Sequence, residues 1–188
     1  WGPVPPSVVL ISGASGGVGV ACTQLAVAMG HTVIGLSRDP GKRQKLQEMG
    51  ATAMFDPNDR AWPRLVKDLL GSRRVDLAID NIGGRLLPQM IDTLGMHGKV
   101  SIVGRLAGPV AEFNTATLLF RRIKIGGVAV GTYNVAECHH AWQVTLGLLA
   151  KTGMRPIVDS VFPFDQLPQA FERLAEGPMG KVLLQVKE

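Results

Sequence analysis

The sequence is poor in the residues that announce several common function classes. Cysteine occurs twice, at Cys22 and Cys138, too few for a disulfide framework or a thiolate metal cluster. Cys22 falls on the apolar side of a helix-period segment, and both read as ordinary thiols. Aromatic residues make up 5%, with a single tyrosine, Tyr133, so the interleaved aromatics of a nucleic-acid surface are missing. No uninterrupted apolar run approaches the roughly 18 residues that cross a bilayer. The start, Trp1-Gly2-Pro3-Val4-Pro5-Pro6-Ser7, has neither a basic opening nor an apolar signal core. The expectations are a cytoplasmic protein with no membrane partner and, because Trp1 rather than Met opens it, a chain processed or excised from something longer.

What is present is apolar: 46% of 188 residues, with a mean hydropathy of +0.18. That balance excludes a disordered chain, suits a single core, and favours strands covered on both faces. Net charge is +5 and the pI is near 9.6. The cations are scattered, from Arg38, Lys42 and Arg43 through Arg73-Arg74 and Arg121-Arg122 to Lys187, without the dense run of a nucleic-acid binder. No nucleic-acid partner is expected; a phosphate-bearing small molecule accounts better for part of the excess.

Strand-length apolar runs alternate with helix-period segments. Val8-Val9-Leu10-Ile11 reads as a strand, after which Val18, Ala21, Cys22, Leu25, Ala26 and Met29 share one helix face. Thr32 to Leu36 is a second strand, followed by a helix from about Gly41 to Met49 that stops at Gly50. A third strand at Ala53-Met54-Phe55, a helix from Pro63 to Leu70, a fourth strand Val75 to Ile79, a helix Leu86 to Leu94 and a fifth strand Val100 to Val103 continue the pattern. After a less regular stretch comes a sixth strand, Ile123 to Val130. This predicts a doubly wound α/β (Rossmann) fold, a parallel six-stranded sheet with helices on both faces. A helix from Ala141 to Ala150, a strand Ile157 to Phe162, a helix capped by Asp165 and a last strand Val182 to Val186 form a different rhythm. The expected division is a dinucleotide-binding domain over 1–154 and a strand-helix-strand tail over 155–188.

The strongest local signal is Gly13-Ala14-Ser15-Gly16-Gly17-Val18-Gly19, which follows the first strand and opens the first helix. Residues without a β-carbon let the chain turn tightly, let backbone approach a pyrophosphate, and let the helix lie close to the strand. The free amides of Ser15, Gly16, Gly17 and Val18, with the helix dipole, then face the anion. In a G-x-G-x-x-G register the first position is Ala14, which permits the turn if its φ is negative.

Cofactor choice is read at the end of the second strand. NADH-selecting folds place an acid there, roughly 20 residues beyond the glycines, to accept bonds from the ribose hydroxyls. This chain has Ser37-Arg38, with Lys42 at the next helix start. A hydroxyl and two cations can donate to the extra phosphate of NADPH, a preference of about 100-fold after exposure is discounted. In the rival reading Asp39 is the ribose-binding acid, although Asp39-Pro40-Gly41 has the pattern of a turn. The cofactor expected is NADP(H).

These residues resemble the medium-chain dehydrogenase/reductase superfamily, in its zinc-independent quinone oxidoreductase and enoyl reductase branch, over nearly the whole chain. The glycine segment, the run Ser37 to Arg43 ending at Gly50-Ala51, Asp76 with Asp80-Asn81-Ile82-Gly83-Gly84, Gly98-Lys99 into Val103-Gly104, and Gly180-Lys181-Val182-Leu183-Leu184 carry the likeness. It implies transfer of hydride from NADPH to a quinone, an enone or a related carbonyl compound, with the backbone at Val103, Gly104 and Val128 holding the nicotinamide. Asn81 would bond a ribose or cap the turn at Gly83-Gly84, and both readings stand. Family members draw their catalytic side chains and any zinc ligands from an N-terminal substrate lobe not represented in these residues, so no catalytic residue is named. The segment after about Arg155 returns to that lobe, and the sixth strand is commonly a dimer edge, which makes Ile123 to Val130 the candidate homodimer interface. Pro57 stands where many quinone reductases place a tyrosine.

Other classes turn on single features. A short-chain dehydrogenase needs a Tyr with Lys four residues later, whereas Tyr133 is followed at that spacing by Glu137. Cys138-His139-His140 are adjacent on a helix start and point in different directions, so no metal site is expected. A non-catalytic NADP(H)-binding or sensor module, and a zinc-dependent alcohol dehydrogenase whose metal lobe is absent, remain as alternatives.

Overall fold

The computed structural model describes residues 7–109 and 111–186, so Trp1 and Lys187 lie outside the described residues. Six strands form one parallel sheet: β1 (Val8–Ile11), β2 (Thr32–Leu36), β3 (Ala53–Phe55), β4 (Val75–Asp80), β5 (Leu94–Ile102) and β6 (Lys124–Gly127). Their spatial order is β3-β2-β1-β4-β5-β6, with every neighbouring pair parallel. The order reverses between β1 and β4, and connections leaving there in opposite directions open a crevice at the strands' carboxyl ends.

Both sheet faces are covered, which is why β1 is a continuous apolar run rather than an alternating one. Val8 and Leu10 point to the face covered by α3 (Trp62–Leu70) and α4 (Leu86–Thr93), where they meet Trp62, Val66, Met90 and Ile91. Val9 and Ile11 point to the other face, against Val20 and Ala26 of α1 (Gly17–Ala28) and Leu46 of α2 (Pro40–Glu48). Trp62 is fully buried, and its indole N–H donates to Gln89 Oε1 at 3.3 Å.

Several elements differ from the sequence reading, each for a local reason. The stretch before β6 holds a helix, α5 (Thr115–Arg121), capped by Asn114 through Ala116 N–H and ended by Arg122 at φ +52°. That end ties Ile123 N–H to Leu118 O, so β6 starts later and is shorter than Ile123 to Val130; Val130–Thr132 is a 3₁₀ turn. β5 begins at Leu94, before an irregular stretch with His97 at φ +60°, and ends at Ile102. The helix expected from Ala141 runs as α6 (Val135–Thr152), because Asn134 and Glu137 form a reciprocal capping box. Asp165 makes no cap: it lies in a 3₁₀ turn, Phe164–Gln166, ahead of α7 (Leu167–Ala175).

The tail is a βαβ unit in which β7 (Val158–Pro163) and β8 (Lys181–Gln185) pair in parallel beside α7. Asp159 fastens it. Its carboxylate accepts both arms of Arg173, at 2.8 and 2.7 Å, together with the Ser160 hydroxyl and the Met179 amide. The unit lies against the large sheet: Met179 joins the α1-side core, Gln24 donates to Arg155 O, and Gly180 N–H donates to Ser15 O. Val161 and Phe171 stay exposed on its outer side.

Two outcomes are expected. Trp62→Ala should cost about 3–5 kcal/mol in chemical denaturation, since it empties the α3-side core. The Arg173 guanidinium, foremost among its partners, holds the Asp159 carboxyl at about 2, below its unfolded value of about 3.9. A group depressed on folding stabilises fully above its unfolded pKa and loses that contribution as pH falls through the folded one. Asp159→Asn should therefore lower Tm at neutral pH, and the gap to wild type should narrow as pH drops from about 4 toward 2.

Candidate functional site

A groove of about 1010 Å³ runs across the carboxyl ends of the strands at the point of reversal. One side is the turn between β1 and α1. Gly13 takes φ +58°, so the left-handed conformation falls to glycine. Ala14 is fully buried, donates its N–H to Leu36 O, and fits beneath the turn because Gly35 opposite it carries no side chain. No side chain caps α1 at Gly16, so the Gly17 and Val18 amides of its first turn are open to an acceptor, whereas the Gly16 amide, expected to be free, closes the tight turn by donating to Gly13 O at 3.0 Å.

Of the residues singled out from sequence, Ser15, Gly16, Gly17, Val18, Ser37, Arg38, Lys42, Asn81, Val103 and Gly104 all line this one groove. Val128 does not: its N–H completes the ladder to Ile102 O at 2.8 Å, one position beyond the end of β6. The Ser37 hydroxyl is buried and donates to Ser15 Oγ at 3.0 Å, joining the two turns. Arg38 is exposed at the rim. Lys42 Nζ donates to Gly177 O, so this cation already bridges to the tail.

Asp39 also faces the groove, but its carboxylate caps α2, accepting from Lys42 N–H at 2.9 Å. That amide, more than any other neighbour, holds its carboxyl below the usual range. Arg43 braces the same corner by donating to the carbonyls of Ser37 and Arg38.

Asn81 is locked in place. Its N–H donates to Ser12 Oγ and its Nδ2 to Ser12 O, while Ser12 Oγ in turn donates to the buried carboxylate of Asp80. Asp80 also takes the amides of Ile82 and Gly83, so the turn at Gly83-Gly84 is capped by Asp80 rather than by Asn81. Asn81 Oδ1 is left buried without a partner at the groove wall. An orphaned acceptor beside open amides and cations suits a ligand that brings hydroxyls and phosphates together.

The structure adds residues that sequence reading did not select. Arg85, at the start of α4, lines the groove and donates to Asn58 Oδ1 at 3.2 Å. Its place just past the carboxyl end of a central strand was the available signal. Gly177 and Pro178 of the tail form another wall. A β-carbon at Gly17 would meet Lys181 Nζ at 2.9 Å, so this ammonium lies over the start of α1. In the sequence Lys181 stands out only within the Gly180-Lys181-Val182 likeness.

Among the described residues no group of three or more His, Cys, Asp or Glu side chains could hold a metal ion. Cys138, His139 and His140 are exposed within the first turns of α6. Burial raises the Cys22 thiol pKa, which favours the unreactive protonated form. No helix among the described residues is long and apolar enough to cross a membrane.

The family model for zinc-binding dehydrogenases matches residues 17–161. A quinone oxidoreductase of Lama guanicoe is 31% identical, the alignment covering 95% of this chain and 54% of that protein; the Rattus norvegicus quinone oxidoreductase is 30% identical over 94% and 54%. Among solved structures, CurA from Vibrio vulnificus in complex with NADPH superposes with a TM-score of 0.82 at 21% identity, covering 99% of this chain and 58% of that one. At that identity the likeness speaks for the fold. The chain spans about half the length of the curated relatives it matches and belongs to the zinc-binding dehydrogenase family of oxidoreductases, within the medium-chain dehydrogenase/reductase superfamily.

Proposed function

We propose that this chain is the NADP(H)-holding part of an oxidoreductase that reduces a quinone, an enone or a related carbonyl compound. The observation that carries the reading is the convergence, on one groove, of uncapped α1 amides, Arg38 and the orphaned Asn81 Oδ1. The quinone oxidoreductases among its relatives, and NADPH bound in a protein of the same fold, favour it. The division into residues 1–154 and a tail that meets a further lobe is part of the same proposal, as is a homodimer paired along Ile123 to Val130, which includes β6, the outer strand of the sheet.

When bound, the reduced cofactor would supply hydride. The chain's own residues position it. The Gly17 and Val18 amides and the Lys181 ammonium take the pyrophosphate, Arg38 and Lys42 the 2′-phosphate, and Asn81 Oδ1 a ribose hydroxyl. The backbone at Val103 and Gly104, both of whose amides donate to Asp80 O, fixes the far end. Zinc does not fit the described residues, despite the family's name, because no three of their His, Cys, Asp or Glu side chains come together.

Calorimetry on the full chain tests the assignment. Arg38→Ala should weaken NADPH about tenfold and NADH little, because only NADPH carries the extra phosphate. Lys181→Met should weaken both alike, since both carry the pyrophosphate. Equal losses of the two cofactors in Arg38→Ala would refute the 2′-phosphate assignment.

A further inference from the structure

Cations that stand apart in the sequence are gathered by the order of the sheet. Arg73 and Arg74 precede β4, Arg121 and Arg122 precede β6, and β5 lies between those two strands, parallel to both. Leu77 pairs with Lys99 and Lys99 with Lys124, so Val75 and Arg122, each two residues earlier, stand near one height on strands about 10 Å apart. Local bonds then fix the display. Arg121 donates to the carbonyls of Asp92 and Leu94 at 3.1 and 3.0 Å, tying the end of α5 to the start of β5. Arg74 donates to Gly71 O and Arg73 O, and its stem packs on the chain at Gly95, where a β-carbon would lie 2.9 Å from its own. Leu118 turns inward to the core, which sends its neighbours Leu119 and Phe120 outward, 72% and 76% exposed, two or three residues from Arg122. Met96 is exposed on β5 at the same end. No ion pair among the described residues engages Arg73, Arg74, Arg122 or Lys124. Of the acids nearby, Asp76 accepts the Val8 N–H, and Asp92 lies at the close of α4.

We propose that the amino ends of β4, β5 and β6, with the last turn of α5, form a peripheral docking surface for a membrane that carries anionic lipid. Arg73, Arg74, Arg122 and Lys124 meet the headgroups, while Leu119, Phe120 and Met96 enter the boundary between headgroups and acyl chains. The charge and the apolar side chains together select this occupant. A second copy of the chain brought face to face would set arginine against arginine. A nucleic acid would satisfy the cations, but Phe120 alone makes no stacking row for bases, and Leu119 and Met96 gain nothing from phosphate. A lipid surface suits both kinds of side chain at once and needs no spanning helix. The groove lies at the opposite ends of the strands, so docking leaves it facing away from the bilayer.

Cosedimentation of the full chain with vesicles tests this, using phosphatidylcholine alone and phosphatidylcholine mixed equally with phosphatidylserine. Wild type should pellet with the mixed vesicles and stay in solution with the neutral ones. Each cation near an anionic surface contributes about a fivefold factor, so Arg73→Gln combined with Arg122→Asn should bind the mixed vesicles roughly 25-fold more weakly. Asparagine suits position 122 because it tolerates the left-handed backbone there, at φ +52°. Phe120→Ser keeps the charge and should weaken binding about tenfold. Arg60→Gln removes a cation beyond the carboxyl end of β3 and should bind as wild type does, which separates a local patch from net charge. Failure of wild type to bind the mixed vesicles overturns the proposal, as does equal binding to both kinds. Unchanged binding in Phe120→Ser or in the double variant overturns it too, and so does a loss in Arg60→Gln as large as that in the double variant. If polyglutamate or a single-stranded oligonucleotide binds wild type as tightly as the mixed vesicles do, and Phe120→Ser leaves that binding unchanged, the lipid assignment falls. It falls equally if wild type sediments as a dimer that Phe120→Ser dissociates, since the face then belongs to a second copy.

Discussion

A β-carbon at position 19 would sit 2.2 Å from the Gly13 carbonyl oxygen and 2.6 Å from the Ala14 α-carbon, so α1 can lie against the end of β1 only because Gly19 has no side chain. That approach decides where the helix begins, and hence where its unpaired amides are aimed. The neighbouring turns are referenced to it: Ala14 N–H donates to Leu36 O, Ser12 N–H to Ile79 O, and the Ser15 and Ser37 hydroxyls meet across the gap. The ends of β1, β2 and β4 are thereby held together at the point where the sheet order reverses.

Polar satisfaction beneath the groove follows the same plan. Asp80 is fully buried and spends one carboxylate oxygen on the Ser12 hydroxyl and the Ile82 and Gly83 amides. Ser12 then orients Asn81, whose Oδ1 is left buried without a partner. Such a chain of bonds rigidifies the wall before any ligand arrives, so little ordering remains to be done on binding.

The central sheet was legible because its strands are buried on both faces and announce themselves as unbroken apolar runs: β1, β2 and β3 lie where Val8 to Ile11, Thr32 to Leu36 and Ala53 to Phe55 were read. Residues near the glycine turn and the end of the second strand were legible for a related reason, since their chemistry is local in sequence. The departures share the opposite cause. α5 is a short helix with no buried residue, so it had no strong apolar period to reveal it. β6 is shorter than Ile123 to Val130 because the left-handed Arg122 holds Ile123 to the preceding helix. Lys181, Gly177 and Pro178 reach the groove only through tertiary folding of the tail, and no spacing rule connects them to Gly17 or Lys42.

The contact between Gly16 and Gly180, where the two segments form an isolated parallel bridge, joins positions near opposite ends of the sequence. Contacts of such long range close late, because the entropy of a large loop must be spent before they form. During synthesis the sheet around β1, β2 and β4 can assemble well before the tail emerges, leaving the turn between β1 and α1 open on one side. The groove is then complete only once nearly all of the described residues have folded, which makes ligand capture a readout of finished folding rather than a guide to its early steps.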